Sequence, residues 1–326
     1  MAKPVNSISG TVCSGIADMN KYMSPVKAHN IIFGRAEHVH STERMRWGNI
    51  NEPAIADRAL YKRDGEGGLL MHYDRDISLL NITERLQHPE ISWYTGTPDY
   101  LILDEDGSVI GVLECKNTSY LCRGDWGDPE KDADPLIPQR HDCQVEWYRH
   151  LIQKLHNRDH VDAWIAVLID GGDHRLFKRE PPPEFHANLL KTCESFWNTY
   201  VLTDTLPDID GSKGTTQALS EPFPSAKTDN MISSNKEVEA LAAERKELKG
   251  KAKELDTRIK TIDNKLRHAI GDNLGIEGSN WTAKWSDSSR TSVDTKALKA
   301  THPELVKQFE NKTTFRTLRV HYKKEV

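Results

Sequence analysis

The stretch GTPDYLILDEDGSVIGVLECK, residues 96–116, decides the reading of this 326-residue chain. Two short apolar runs, YLIL at 100–103 and VIGVLEC at 109–115, flank the tetrapeptide DEDG at 104–107. Runs of this length bounded by turn residues predict strands, and Asp-Gly supplies the positive-φ positions of a tight hairpin. The resulting antiparallel ladder brings Asp99, which ends a Thr-Pro-Asp turn, beside Glu114. Glu114 and Lys116 are two apart on one strand, so their side chains share a face. Cys115 points the other way, while its backbone carbonyl remains an oxygen donor. An unpaired carboxylate ending an apolar run is costly to bury, and a metal ion offsets that cost. The donors are hard oxygens, which suit Mg²⁺ with Mn²⁺ as a substitute, and the lysine is placed to serve an activated water or a scissile phosphate.

Outward from this hairpin, helical patterning over residues 45–61 carries Glu52, and a helix over 141–157 carries Gln144 near its start. An apolar strand at 163–169, a Gly-Gly-Asp turn and a helix over 184–200 follow. Residues 1–202 thus read as one α/β domain. Residues 203–235, rich in Asp, Pro, Gly, Ser and Thr, read as a flexible linker. From 236 to 270 a heptad pattern sets Val238, Arg245, Ala252, Ile259 and Leu266 at one core position and Leu241, Leu248, Leu255, Ile262 and Ala269 at the other. This predicts a coiled-coil arm, although Arg245 in the seam argues against a long, strong homomeric zipper. Residues 271–326 read as a small basic α+β tail, with strands at 281–285 and 313–322 and a short helix capped by Asp294.

Composition bounds the function. Hydrophobic residues make up 37% and charged residues 29%, the balance of a soluble protein. No apolar run approaches the roughly 20 residues of a membrane helix and the N-terminus lacks a signal peptide's apolar stretch, so a cytoplasmic location is expected. Five cysteines without a CxxC pair predict reduced thiols and neither a disulfide framework nor an iron-sulfur cluster. The net charge of −5 divides unevenly: residues 236–326 carry 20 Lys+Arg against 14 Asp+Glu, leaving 24 against 35 for residues 1–235. The acidic part holds the candidate metal site, and the basic part is a candidate DNA grip through Arg316, Arg319, His321, Lys323 and Lys324, or else a solvated basic face. His38 and His40 are a metal pair or, with Glu37 and Glu43 beside them, a surface helix face. Trp93 and Tyr94 either stack on an unpaired base or pack against the first strand. The loop over 122–138 is an active-site rim or a surface loop.

Pro-Asp followed by Glu-x-Lys is the pattern of the restriction-endonuclease-like superfamily, which implies a mixed sheet flanked by helices. In a specific order, SGTVCSGIADMNKYMSP, WGNINEPAIADRALY, TPDYLILDEDGSVIGVLECK, IPQRHDCQVEWYRHL and AWIAVLIDGGDHRLF resemble the phage λ exonuclease and YqaJ viral recombinase family, spanning almost all of residues 7–200. The resemblance implies that Asp99, Glu114 and the Cys115 carbonyl bind a catalytic Mg²⁺, with Glu52 at a second metal or its water shell. It further implies that Lys116 orients and helps deprotonate the attacking water and that Gln144 positions that water or the phosphate. In this family duplex DNA ends are digested 5′ to 3′, leaving 3′ single-stranded tails for a single-strand annealing partner, and a trimeric homo-oligomeric ring is known. The sequence departs from the family at the 5′-phosphate arginine expected before Thr11, where only Lys3 stands, and matches a later arginine approximately with Arg123. An endonuclease on the same core and a non-catalytic DNA-binding recombination protein are the alternative readings.

Overall fold

The computed structural model describes residues 6–36, 42–61, 68–132, 134–223, 225–226, 230–310 and 317–322. The chain forms two units, Met1–Phe223 and Pro224–Val326. In chain order the first contains α1 (Gly10–Ile16), α2 (Pro25–Ile32), α3 (Glu43–Leu60), α4 (Leu69–Tyr73), β1 (Ile77–Asn81), β2 (Leu86–Gln87), β3 (Thr95–Gly96), β4 (Tyr100–Asp104), β5 (Val109–Thr118), a 3₁₀ turn (Tyr120–Asp125), α5 (Gln139–Leu155), β6 (Asp162–Ile169), β7 (Asp173–Arg179), α6 (Pro183–Phe196), a π turn (Trp197–Val201) and α7 (Lys213–Ser220). Five strands make a mixed sheet in the order β1-β4-β5-β6-β7, and β2 pairs with β3 apart from it. Only β5 and β6 run parallel. A parallel pair needs a long crossover, and α5 supplies it.

Strand alternation divides the core between two faces. Tyr100, Ile102, Leu113, Cys115, Trp164 and Ala166 pack on Ile55, Ala56 and Ala59 of α3 and Leu69 of α4. Leu101, Val112, Ile165, Val167 and Phe177 pack on Val145 and Ile152 of α5. Glu114 and Lys116 have the parity of Val112, which sends them to the α5 face. In the DEDG turn Gly107 alone has positive φ, at 75°, because Asp104 closes the loop twice: its carbonyl accepts from Gly107 N–H at 2.9 Å and its Oδ1 from Ser108 N–H at 2.8 Å. The extra loop residue appears as a register shift after Ile102, and the pairing Tyr100–Leu113 survives beside the site.

The expected linker over 203–235 is not uniformly flexible. Ser212 caps α7 by accepting from Thr215 N–H at 3.1 Å, and Asn30 of α2 donates to the Ala218 carbonyl at 3.1 Å. Gly214, Thr215 and Ala218 are buried. Side chains this small give no hydrophobic period, yet they let the helix sit close on α2. A chain ending at residue 202 is therefore expected to melt several degrees below one ending at 223, because it uncovers α2; equal melting temperatures would make α7 an ornament.

A third cluster joins α1, α2, α5 and α6 through Ile8, Cys13, Tyr94, Trp147, Leu151 and Cys193. At its margin His88, His150 and His186 stack in a row, with ring centroids 5.9 Å and 3.6 Å apart. Burial, reinforced by Lys154, holds His150 down at about 4. Burial, reinforced by His150, holds His186 at about 3. A histidine depressed in the folded state favours the neutral fold, so its contribution is intact above the unfolded value near 6.5 and is lost as pH falls toward 4. By pH 5 the cost at His150 is about 2 kcal/mol, at about 1.4 kcal/mol per pH unit, and a charge there further opposes one on His186. Melting curves from pH 7 to 5 check this, and His150→Phe is expected to flatten the fall.

The second unit contains α8 (Lys236–Ile270), β8 (Gly275–Glu277), β9 (Thr282–Lys284), α9 (Thr295–Thr301) and α10 (Pro303–Gln308). Asp294 caps α9 as expected, accepting from Ala297 N–H at 2.9 Å. The strand expected at 313–322 does not form over 317–322, where none of the described strands pairs with it; residues 313–316, Arg316 among them, lie outside the described residues. So do Lys3, His38, His40, Lys323 and Lys324. Among the described residues no helix is long and apolar enough to cross a membrane.

Candidate active site

Thr42 caps α3 by accepting from Met45 N–H at 3.2 Å and launches a helix whose Glu52 faces the start of β4. Beyond the Tyr100–Leu113 pair the β4 ladder stops, and the Asp99 side chain takes over: its Oδ2 accepts the Cys115 N–H at 2.7 Å. Glu114 is 2% exposed. Its Oε1 accepts from Gln144 Nε2 at 2.6 Å and from Lys116 Nζ, while its Oε2 is buried with no partner. Asn81 ties Glu52 to this group, donating to Glu52 Oε1 at 3.4 Å and to the Asp99 carbonyl at 3.0 Å. Glu52, Asp99, Glu114, Cys115, Lys116 and Gln144 line one cavity of about 770 Å³.

Burial raises the pKa of Asp99 against the pull of Lys116. Glu52 is raised by burial and then by Asp99. Glu114 is pushed up to about 8, by burial above all, although Lys116 pulls it down. Lys116 is raised in turn by Glu114 and Asp99, against burial, and keeps its proton. Three carboxyl groups costly to ionise, one with an orphaned oxygen, are the signature of a place that gains from a cation. Among the described residues no three His, Cys, Asp or Glu side chains already stand in ligand geometry; Glu114 leans on Lys116 and Gln144 instead. The donor set nevertheless fits a hard divalent ion: all oxygen, acidic, with Glu114 Oε2 free to turn to it.

The other expected contacts divide. Thr11 of α1 lines the cavity. Trp93 does not face it but stacks on Trp197 at 5.5 Å, because the third cluster claims its ring. Arg123 pairs with Asp173 at 3.2 Å and lines a separate polar pocket with Arg175. Arg319 belongs to the second unit and is exposed. Among the cavity residues to which the sequence reading gave no role are Arg44, Arg140, His141 and Tyr148. Helical spacing could have found them, since Arg44 is two turns before Glu52 with side-chain-free Gly48 between, and Arg140 and Tyr148 each lie four residues from Gln144. Tyr148 OH accepts from Gln144 Nε2 at 3.3 Å. His141 stacks on Trp126 at 5.4 Å, its pKa lowered well below the usual value by burial and then Lys116.

Residues 5–151 match the YqaJ-like viral recombinase domain, and this span contains Glu52, Asp99, Glu114, Lys116 and Gln144. The likeness thus falls on the part of the chain that carries the cavity. The likeness reaches beyond it: the chain is 29% identical over 238 residues to the uncharacterized protein YqaJ of Bacillus subtilis (strain 168), covering 71% of this chain and 68% of that protein. In structure, the chain is similar to the alkaline exonuclease LHK-Exo from Laribacter hongkongensis at a TM-score of 0.43 and 12% identity, over 61% of this chain and 90% of that one. LHK-Exo in complex with dAMP gives a TM-score of 0.38 and 10% identity over 61% and 90% of the two chains. The YqaJ-like domain match ends within α5, so β6, β7, α6 and α7 complete the unit outside it.

Proposed function

We propose that this chain is a Mg²⁺-dependent deoxyribonuclease that digests linear double-stranded DNA from the 5′ end and leaves a 3′ single-stranded tail for an annealing protein in phage-type recombination. The observation that carries the reading is the buried, unpartnered Glu114 Oε2 in a cavity shared with Asp99, Glu52, Lys116 and Gln144. Asp99, Glu114 and the Cys115 carbonyl would hold the ion, with Glu52 at a second ion or its waters. The metal would lower the pKa of a bound water and neutralise charge on the phosphate. Lys116, still protonated beside Glu114, orients the water oxygen toward phosphorus and meets the charge that grows as the bond to the leaving oxygen breaks. That favours orientation over proton abstraction for the lysine. Gln144 fixes Glu114 Oε1 and is within reach of a phosphate oxygen. Arg44 of α3 and Arg140 of α5 both line the cavity and supply positive charge there.

The match of residues 5–151 to the YqaJ-like viral recombinase domain is consistent with this reading; the polarity comes from the family resemblance. A cytoplasmic site of action and an annealing partner are part of the same proposal. The test is linear duplex labelled at either end, compared with covalently closed circular duplex. Mg²⁺ is expected to drive early loss of the 5′ label and leave the circle intact. Cutting of the circle would show an endonuclease, and wild-type protein inert with Mg²⁺ or Mn²⁺ across a pH series would remove the nuclease altogether.

A further inference from the structure

Helix α8 is 35 residues long, about 50 Å at 1.5 Å per residue. Asn235 caps its start, accepting from Val238 N–H at 2.9 Å, acids occupy its first turn and bases its last, and Gly271 at φ 55° ends it. Yet Val238, Leu241, Leu248, Leu255, Ile259 and Ile262, all on one seam, are each between 51 and 59% exposed. A helix of this length draws most of its stability from packing an apolar face, and Ile270 is its only buried residue among those described. Among the described residues the chain's own tail meets the seam in its first third, where Arg245 donates to Tyr322 OH at 3.2 Å, and β8 lies against the helix's C-terminal end, leaving the middle of the seam exposed.

We propose that α8 is one strand of a parallel, in-register, two-stranded coiled coil formed with a second copy of this chain. The seam chooses the number of strands: β-branched Val238 and Ile259 at one core position, with three leucines (Leu241, Leu248 and Leu255) against the single Ile262 at the other, favour two over three. The flanking charges choose the partner and the register. In a parallel, in-register pair Glu244 faces the partner's Lys249, Lys251 faces the partner's Asp256, and Arg258 faces the partner's Asp263, each twice by symmetry and with no like-charge pair. Slipping by one heptad sets Glu244 against the partner's Asp256 in one direction, or Lys251 against the partner's Lys249 in the other. Arg245, which is awkward in a seam, then lies beside the partner's Glu244. A single polar seam position of this kind fixes register at some cost in stability. An antiparallel pair centred on Lys251 keeps as many opposite-charge pairs but sets Lys251 against itself, so orientation is something the experiment must read.

The full chain in light scattering is expected to show twice its 37.0 kDa mass, and Leu248→Glu with Leu255→Glu to halve it. Leu248→Cys, in a Cys122→Ser background, is expected to form an intermolecular disulfide on mild oxidation, because parallel in-register strands put position 248 opposite itself. A monomeric or trimeric wild type would overturn the proposal, and so would a mass that the two glutamates leave unchanged. A dimer that does not cross-link at 248 would overturn the parallel register. The inference does not rest on the nuclease reading: the double-glutamate chain is expected to hydrolyse short linear duplex within about twofold of wild type, so failure of one does not pass for failure of the other.

Discussion

Lys116→Ala is expected to slow hydrolysis of linear duplex DNA by about 10²- to 10³-fold while leaving a folded protein, the loss typical of removing one charge-stabilising donor from a closed site. Removing one partner of a buried ion pair ordinarily destabilises strongly, since the other charge is stranded. Here Glu114 has an exit. Its pKa is already pushed to about 8 by burial with Lys116 present, and without the ammonium it keeps its proton at neutral pH and becomes a neutral partner for Gln144. The melting temperature is thus expected to change little while activity collapses. A Lys116→Ala chain as active as wild type would remove the lysine from the reaction, and one that fails to fold would show that Glu114 does not take up the proton. The conservative Lys116→Arg checks geometry, because a planar guanidinium restores charge but not the compact ammonium. Activity near the alanine level would mean that position, beyond charge, matters.

What the sequence made legible follows from periodicity. Two apolar runs and a turn placed Asp99 opposite Glu114, and the period of two put Glu114 and Lys116 on one face; the pairing Tyr100–Leu113 and the Lys116–Glu114–Gln144 contacts reproduce that arrangement. Helix spacing brought Glu52 to the same cavity from α3. Less legible was whatever depends on a competing use for a side chain. Trp93 is as good a stacking platform as any tryptophan, but Trp197, more than a hundred residues later, takes its face. Arg123 meets Asp173 for the same kind of reason. The helix α7 was invisible because its buried residues are Gly214, Thr215 and Ala218, which a hydrophobic pattern scores as loop. In α8 the heptad signalled a long helix, Lys236–Ile270, and its seam residues stay exposed in the single chain because a heptad seam is written for a second strand.

Glu114→Gln is expected to abolish Mg²⁺-dependent hydrolysis and at the same time raise the melting temperature of the metal-free protein, by an amount that grows with pH. Glu114 has a folded pKa of about 8 against an ordinary value of 4.5, so the fold holds a proton that the unfolded chain releases. Below 4.5 the carboxyl is neutral in both states and costs nothing. Between 4.5 and 8 folding must retain the proton, and stability falls by about 1.4 kcal/mol per pH unit. Above 8 the penalty is complete. Glutamine cannot ionise and keeps an oxygen for Lys116 and an isosteric fit beside Gln144, so the variant escapes the whole slope. Mg²⁺ reverses the order: a cation repays the buried carboxylate, displaces its proton, and stabilises only chains that can offer the charge. Wild type is therefore expected to gain melting temperature on adding Mg²⁺, more at pH 8 than at pH 6, and Glu114→Gln to gain little at either. An equal Mg²⁺ shift in both chains would take Glu114 off the list of ligands. A gap between the metal-free chains that does not change with pH would mean instead that Lys116 already neutralises the carboxylate and that the cavity's acidity lies elsewhere, with Asp99 and Glu52 the next pair to replace.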